Sequence, residues 1–324
     1  VITMRSRLAV QKVVSRGRVV VELVEELLKV FRKHFSKTFF PVPQEAIGVG
    51  SSFEGWSPNG EDADAVYHLL VPLKPPRGFR FQVEAGAAKD MPTQGCVLLE
   101  LEHTCSRGQH HRACLCFYHN RHGELKRDEA YLVCTGCYLG MEKVAQWFQQ
   151  AVSSVWEQTP LSTCYTVEVL PSSRSCGLRL TDQSGRSFSI ELLFGVQRGD
   201  SHIFLSSQAE EAISTSFVIW EESYAVAEKK FFSHVAQQAP EDTCFLECLQ
   251  LLASILEGTR ISSYALKTVF MHVLNSVPIT HWSQTQFLMR VQDVTGYLQH
   301  CLEKKCLEHF IFGNKEVPGN ISLP

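Results

Sequence analysis

Asp62 and Asp64 stand two residues apart where the polar stretch before Ala65 gives way to the apolar run Ala65–Leu73. If that run is a strand, both carboxylates project from one face, about 7 Å apart at roughly 3.3 Å per residue. Two acids placed so can share hard cations. A third acid, Glu191, interrupts the alternating run SFSIELLFGV, in which Phe188, Ile190, Leu192 and Phe194 take one face and Ser189, Glu191 and Leu193 the other. Just upstream of the acid pair, Gly50 and Ser51 suit a tight turn whose backbone N–H groups and hydroxyl approach phosphate oxygens. If the two strands are neighbours, the three carboxylates converge on a site for two Mg2+ or Mn2+ ions. Such a site binds a triphosphate and lowers the pKa of an attacking hydroxyl.

Taken singly, each pattern also has a structural reading. Gly-Ser pairs are common in turns, Asp-x-Asp often marks a loop or a helix start, and one strand glutamate can simply face solvent.

The elements that must position these residues follow from apolar spacing. Val20, Val24, Leu27 and Phe31 recur at helical spacing and predict a long amphipathic helix ending near Phe35. The runs 65–73, 97–102 and 113–119 read as strands, and Lys143–Glu157 returns to helix. YTVEVL, GLRLTD, SFSIELLFGV and HIFLSS then read as a meander about the Ser184-Gly185 turn. Beyond Trp220 the patterns are helical: Tyr224–Gln237, Phe245–Glu257, Ser262–Leu274 and Ser283–Leu302. The polar stretch Gln208–Ser216 is the candidate boundary between residues 1–210, a mixed α/β half, and residues 211–324, a helical half.

Composition narrows the partners. A chain of 324 residues with 44% hydrophobic content can bury substantial cores. Its formal net charge of -3 gives no global attraction to nucleic acid or an anionic membrane. The basic stretch from Arg5 to Arg18 is too sparse for a binding block and reads as a solvated helix face. No apolar run reaches the roughly 18 to 20 residues that span a bilayer. The chain begins at Val1 and reads as an excised fragment, and its sequon at Asn320 carries no argument for a secretory lumen. The twelve cysteines are scattered and read as reduced, mostly buried thiols. Cys134-Thr-Gly-Cys137 and the cluster His110, His111, Cys114, Cys116, His119 and His122 have ligand types at short spacing, yet no second CxxC completes a zinc framework. Packing thiols are favoured over structural zinc.

In order and context the stretch GVGSSFEGWSPNGEDADAVYHLLVPL, residues 48–73, resembles the active-site region of cyclic GMP-AMP synthase and the wider Mab-type nucleotidyltransferase family. That family carries Gly-Ser, a short loop, acid-x-Asp at a strand start, a Val-Pro strand end and a later third acid. The resemblance implies an α+β, bilobal nucleotidyltransferase fold with a long amino-terminal spine helix and a carboxyl-terminal helical lobe. It places Asp62, Asp64 and Glu191 on the catalytic metal-binding acids, with Asp62 and Glu191 each exchanged for the other acidic type. SSYALKTVFMHVLNSVP, Trp282 and YLQHCLEKKCLEHFIF resemble the family's closing helices. They put Ser263 at a nucleotide phosphate and Tyr264 against a base; Gly50, Ser51, Ser52 and Ser223 complete the implied nucleotide-binding set. For Ser263 and Tyr264 a helix cap and a packed aromatic are the structural alternatives.

Within the family, PLKPPRGFRFQVE, CTGCYLGMEKVAQWFQ and LFGVQRGDSHIFLSSQ look most like the inositol trisphosphate receptor-interacting protein-like members. The resemblance implies nucleoside triphosphates as ligands, a receptor or channel as protein partner (a calcium-release channel or the T-cell receptor complex), and a membrane anchor outside these residues with this portion on the cytosolic side. Two departures matter. The synthase's zinc loop is replaced by AQQAPEDTC, with Cys244 alone as a plausible ligand, so no zinc and no double-stranded DNA sensing by that route are expected. Glu221 and Ala253 stand where the synthase has basic residues that assist nucleotide binding, and lost positive charge weakens transition-state stabilisation. The resemblance therefore implies either a metal-dependent synthase of a nucleotide second messenger or a catalytically lapsed interaction module on the same fold.

Overall fold

The structure, a computed structural model, describes residues 2–57, 65–85, 94–102, 129–207 and 218–313. The chain divides into two compact units. One comprises Ser15–Gly50 and Ala63–Lys229; the other comprises Val1–Val14, Ser51–Asp62 and Lys230–Pro324. The stretches 113–119 and 208–216, on which the sequence places a strand and a lobe boundary, lie outside the described residues.

The first unit is built on a mixed sheet. Helix α1, Ile2–His34, of which the residues from Ser15 belong to this unit, begins well before the Val20 that apolar spacing suggests, and its last turn carries the cations Arg32 and Lys33, which complement the negative end of its dipole. There follow β1 (Val42–Pro43), β2 (Ile47–Val49), β3 (Val66–Lys74), β4 (Phe79–Ala85) and β5 (Gln94–Leu101); the short helix α2 (Ser51–Glu54), between β2 and β3 in the chain, belongs to the helical unit. Next come β6 (Cys134–Thr135), β7 (Tyr138–Leu139), α3 (Met141–Trp156), β8 (Tyr165–Leu170), β9 (Cys176–Asp182), β10 (Ser187–Gln197), β11 (Phe204–Ser206) and β12 (Ile219–Ser223). Among the described residues the strand order is β1-β3-β10-β11-β12-β5-β7-β6, with β2 on β3, β4 on β5, β9 on β10 and β8 on β9. The β3–β10 pair runs parallel, and the other described pairs are antiparallel.

Aromatic packing seats α1 and α3 on this sheet. The helical face Val20, Leu23, Val24, Leu27, Leu28 and Phe31 is buried, as is the α3 face Val144, Trp147, Phe148, Ala151 and Val155. Phe31 stacks on Phe148 with ring centroids 4.3 Å apart, and Phe148 lies 5.1 Å from Phe194 of β10. The core thus backs directly onto the central strand that carries Glu191.

The helical unit contains α4 (Ala225–Gln238) from Lys230 onward, α5 (Phe245–Leu256), α6 (Ser263–Ser276) and α7 (Phe287–Lys304). Its core holds Trp282, Phe245 and Phe270, with Trp56 from the 51–57 segment packed among them. Two details differ from the apolar pattern. Gln284–Gln286 forms a 3-10 turn, so α7 starts at Phe287, not Ser283. Ile219–Ser223 is a strand although its acids Glu221 and Glu222 obscure alternation; pairing with β11 and β5 decides its state.

Candidate functional site

The parallel alignment of β3 and β10 sets Glu191 opposite His68. Each lies on a strand paired on both sides: His68 also pairs with Val49 of β2, and Glu191 with Gly177 of β9. The side chains meet, with His68 Nε2 3.0 Å from Glu191 Oε2, both about one-third exposed. The other carboxylate oxygen, Oε1, accepts from Ser175 Oγ at 2.8 Å. Ser175 is itself held: its hydroxyl lies 2.6 Å from Ser172 Oγ, and Gln149 Nε2 of α3 donates to the carbonyls of Ser172 and Ser175 at 2.8 and 2.7 Å. The hydrogen bond from His68 holds the Glu191 carboxyl below the usual carboxylate range; burial opposes this, and Ser175 and the charge on His68 add to it.

An ionised carboxylate anchored through one oxygen suits a hard divalent cation. Among the described residues no cluster of three or more His, Cys, Asp or Glu is placed to hold a metal. Asp62 and Asp64, which would complete the donor set, lie outside the described residues. The strand they lead into is next to the strand of Glu191, the condition on which convergence of the three acids depends.

The expected nucleotide-binding residues divide between the units. Gly50 closes β2 with φ of +80°, a left-handed conformation that favours glycine, and no neighbour within 4 Å of a Cβ built there. Ser223 ends β12 opposite Phe204. In the helical unit, Ser51 and the buried Ser52 open α2. Ser263 is the exposed first residue of α6, and the capping role belongs to its neighbour Ser262, whose Oγ accepts from Ala265 N at 3.1 Å. Tyr264 packs against the helical core with its hydroxyl 3.4 Å from His309 Nε2, the packed-aromatic alternative. Glu221 has its carboxyl raised by burial, with Arg174 and Gln94 opposing.

Sequence reasoning passed over His68 and Ser175. The signal for His68 was present: it falls at the same parity as Asp62 and Asp64, on one face if the strand extends upstream. The Cys134-Thr-Gly-Cys137 motif forms the β6–β7 hairpin, turning through Gly136 at φ +64°. Cys134 is buried, its thiol pushed up to about 12 by desolvation, while Cys137 is exposed. Of nine described cysteines, none in a disulfide, five are buried, two intermediate and two exposed. The histidine and cysteine cluster at 110–122 lies outside the described residues.

The family described as "Mab-21 protein HhH/H2TH-like domain" matches residues 244–316. Inositol 1,4,5-trisphosphate receptor-interacting protein-like 1 of Mus musculus is 33% identical over 315 residues, and that of Rattus norvegicus 32% over 315 residues; each alignment covers 93% of this chain and 57% of the relative. The chain is a homologue of these proteins, and its residues 244–316 match the Mab-21 HhH/H2TH-like domain. The Homo sapiens inositol 1,4,5-trisphosphate receptor-interacting protein is 27% identical over 327 residues, 93% of this homologue and 59% of the relative. The homologue therefore spans somewhat more than half the length of the curated relatives it matches. Its Mab-21 domain implies a nucleotidyltransferase-like fold, and its described elements make an α+β structure with a mixed sheet. No helix among the described residues is long and apolar enough to cross a membrane.

Proposed function

We propose that this Mab-21 homologue binds a nucleoside triphosphate with Mg2+ or Mn2+ held by Asp62, Asp64 and Glu191, and that it is a nucleotidyltransferase of the cyclic GMP-AMP synthase-like kind. The observation that carries the reading is the parallel adjacency of β3 and β10. It brings the strand following Asp62 and Asp64 beside an ionised, anchored Glu191. Bound cations would hold the triphosphate and favour ionisation of an attacking ribose hydroxyl. Gly50, Ser51, Ser52, Ser223, Ser263 and Tyr264 are assigned to phosphate and base contacts. Equilibrium dialysis with ATP or GTP, with and without Mn2+, tests it. Retention that depends on metal and disappears in Asp62→Ala/Asp64→Ala is the expected result; no retention by the folded protein overturns it.

A second reading is an interaction module whose catalysis has lapsed. It is supported by the relatives' names, which describe receptor-interacting proteins, and by Glu221 at a position where the resemblance calls for a base. In this reading the chain docks on a receptor or channel, tethered through an anchor outside these residues and facing the cytosol. Absence of nucleotide binding in a folded protein selects it.

A further inference from the structure

His68 has no place among the acids of the metal reading, yet it shares an edge with one of them. Its Nε2 lies 3.0 Å from Glu191 Oε2. Two ligands about 2.1 Å from one octahedral cation and about 90° apart are themselves about 3.0 Å apart. The spacing is that of two adjacent ligands of one cation, which would lie to one side of the Nε2···Oε2 line and needs only a turn of the His68 ring to face the Nε2 lone pair.

Both groups are held for that task by independent supports. Glu191 cannot swing freely because Oε1 is fixed by Ser175, which Ser172 and Gln149 hold in turn. The backbone of His68 is paired on both sides, with β2 and β10. The two side chains remain 36% and 35% exposed, so water can fill further coordination positions.

Resting on the metal reading of Glu191, we infer that His68 and Glu191 together form a nitrogen–oxygen seat for a first-row transition-metal dication such as Mn2+, with His68 a metal ligand that Mg2+ does not use. Imidazole nitrogen suits transition metals, whereas Mg2+ takes oxygen ligands and gives up water reluctantly. Coordination needs the neutral ring with its proton on Nδ1 so that the Nε2 lone pair points at the ion; a proton formerly on Nε2 leaves to solvent. The seat makes His68 a determinant of which cation the site retains.

The test uses the whole chain loaded with Mn2+ alone and read by electron spin echo, in which a directly bound 14N modulates the decay. Modulation in the wild type, absent in His68→Gln together with at least a tenfold loss of Mn2+ affinity and little change for Mg2+, is the expected result. A wild-type spectrum without 14N modulation overturns the role of His68 whether or not the variant folds, and His68→Asn is the second variant should His68→Gln not fold. Mn2+ bound without 14N modulation, or modulation that survives in folded His68→Gln, overturns the role of His68. If that bound Mn2+ is lost in Glu191→Gln and in Asp62→Asn/Asp64→Asn, the carboxylate reading stands without His68. No bound Mn2+ at all overturns both.

Discussion

Lys267 of α6 places its ammonium 3.2 Å from Oε1 of Glu54, and the side chains of the pair are 9% and 0% exposed. Trp56 Nε1 donates to Oε2 of the same carboxylate at 2.6 Å. Gln250 of α5 adds a bond to the carbonyl of Ser57 at 3.1 Å. A buried pair fastens the segment after the Gly50-Ser51 turn onto two helices, and it does so with a charge that cannot be left alone. Lys267→Met is expected to cost about 3–5 kcal/mol because it removes the Lys267 counter-charge from the buried Glu54 carboxylate. Glu54→Gln combined with Lys267→Met should recover much of that loss. Urea unfolding of the two variants checks this; equal losses would contradict the buried-charge account.

The α1–α3 seam has a simpler dependence. Phe31 is fully buried and touches Phe148, Trp147 and Phe35. Phe31→Ala should cost about 3–5 kcal/mol by loss of transfer energy and the cavity left behind. Chemical denaturation with an unchanged slope is the expected form, since the effect is on the native core.

Acid should act through Glu191. Its folded-state pKa is below the ordinary value of 4.5, so the stability it contributes is present above about pH 4.5 and is lost as pH falls through the lower folded value. Ser175→Ala removes one of the bonds that lower it and should raise the Glu191 titration toward the ordinary value. Carboxyl NMR reads that shift directly. The stability difference from wild type should be largest above pH 4.5 and shrink in acid.

Glu221 has the opposite sign. Burial raises its pKa above 4.5 despite Arg174 and Gln94, so its contribution is present below that value and lost as pH rises through the raised one. Glu221→Gln should therefore stabilise the protein at pH 7 and give little change near pH 4. Melting temperatures across that range test it, and destabilisation at pH 7 would mean that the contact with Arg174 outweighs burial.

What could be read in the sequence, and what could not, divides by the range of the interactions. Helices α3, α5 and α6 follow from local apolar spacing, and Ser262 caps α6 one residue before the Ser263 singled out for function. Strand β10 was visible through its alternation up to Leu192; from there to Val196 both faces are buried and alternation ends. Strand β4 was hidden by the Pro75, Pro76 and Gly78 run and by charged residues whose partners, such as Glu100 for Arg80, lie on β5. The two acid-bearing segments were recognisable individually. Their neighbour relation, and with it the His68–Glu191 contact, joins residues more than a hundred positions apart, and no local pattern encodes it.

The central claim is a working metal and nucleotide site at Asp62, Asp64 and Glu191. Thermal melting with each nucleoside triphosphate plus Mn2+, on wild type beside Asp62→Ala/Asp64→Ala, tests it most directly. Ligand at about 100 times its dissociation constant should stabilise the wild type by about 2.7 kcal/mol, with no stabilisation of the variant. A folded wild-type protein whose melting is unmoved by any triphosphate, with or without Mn2+, would contradict the claim and leave the interaction module.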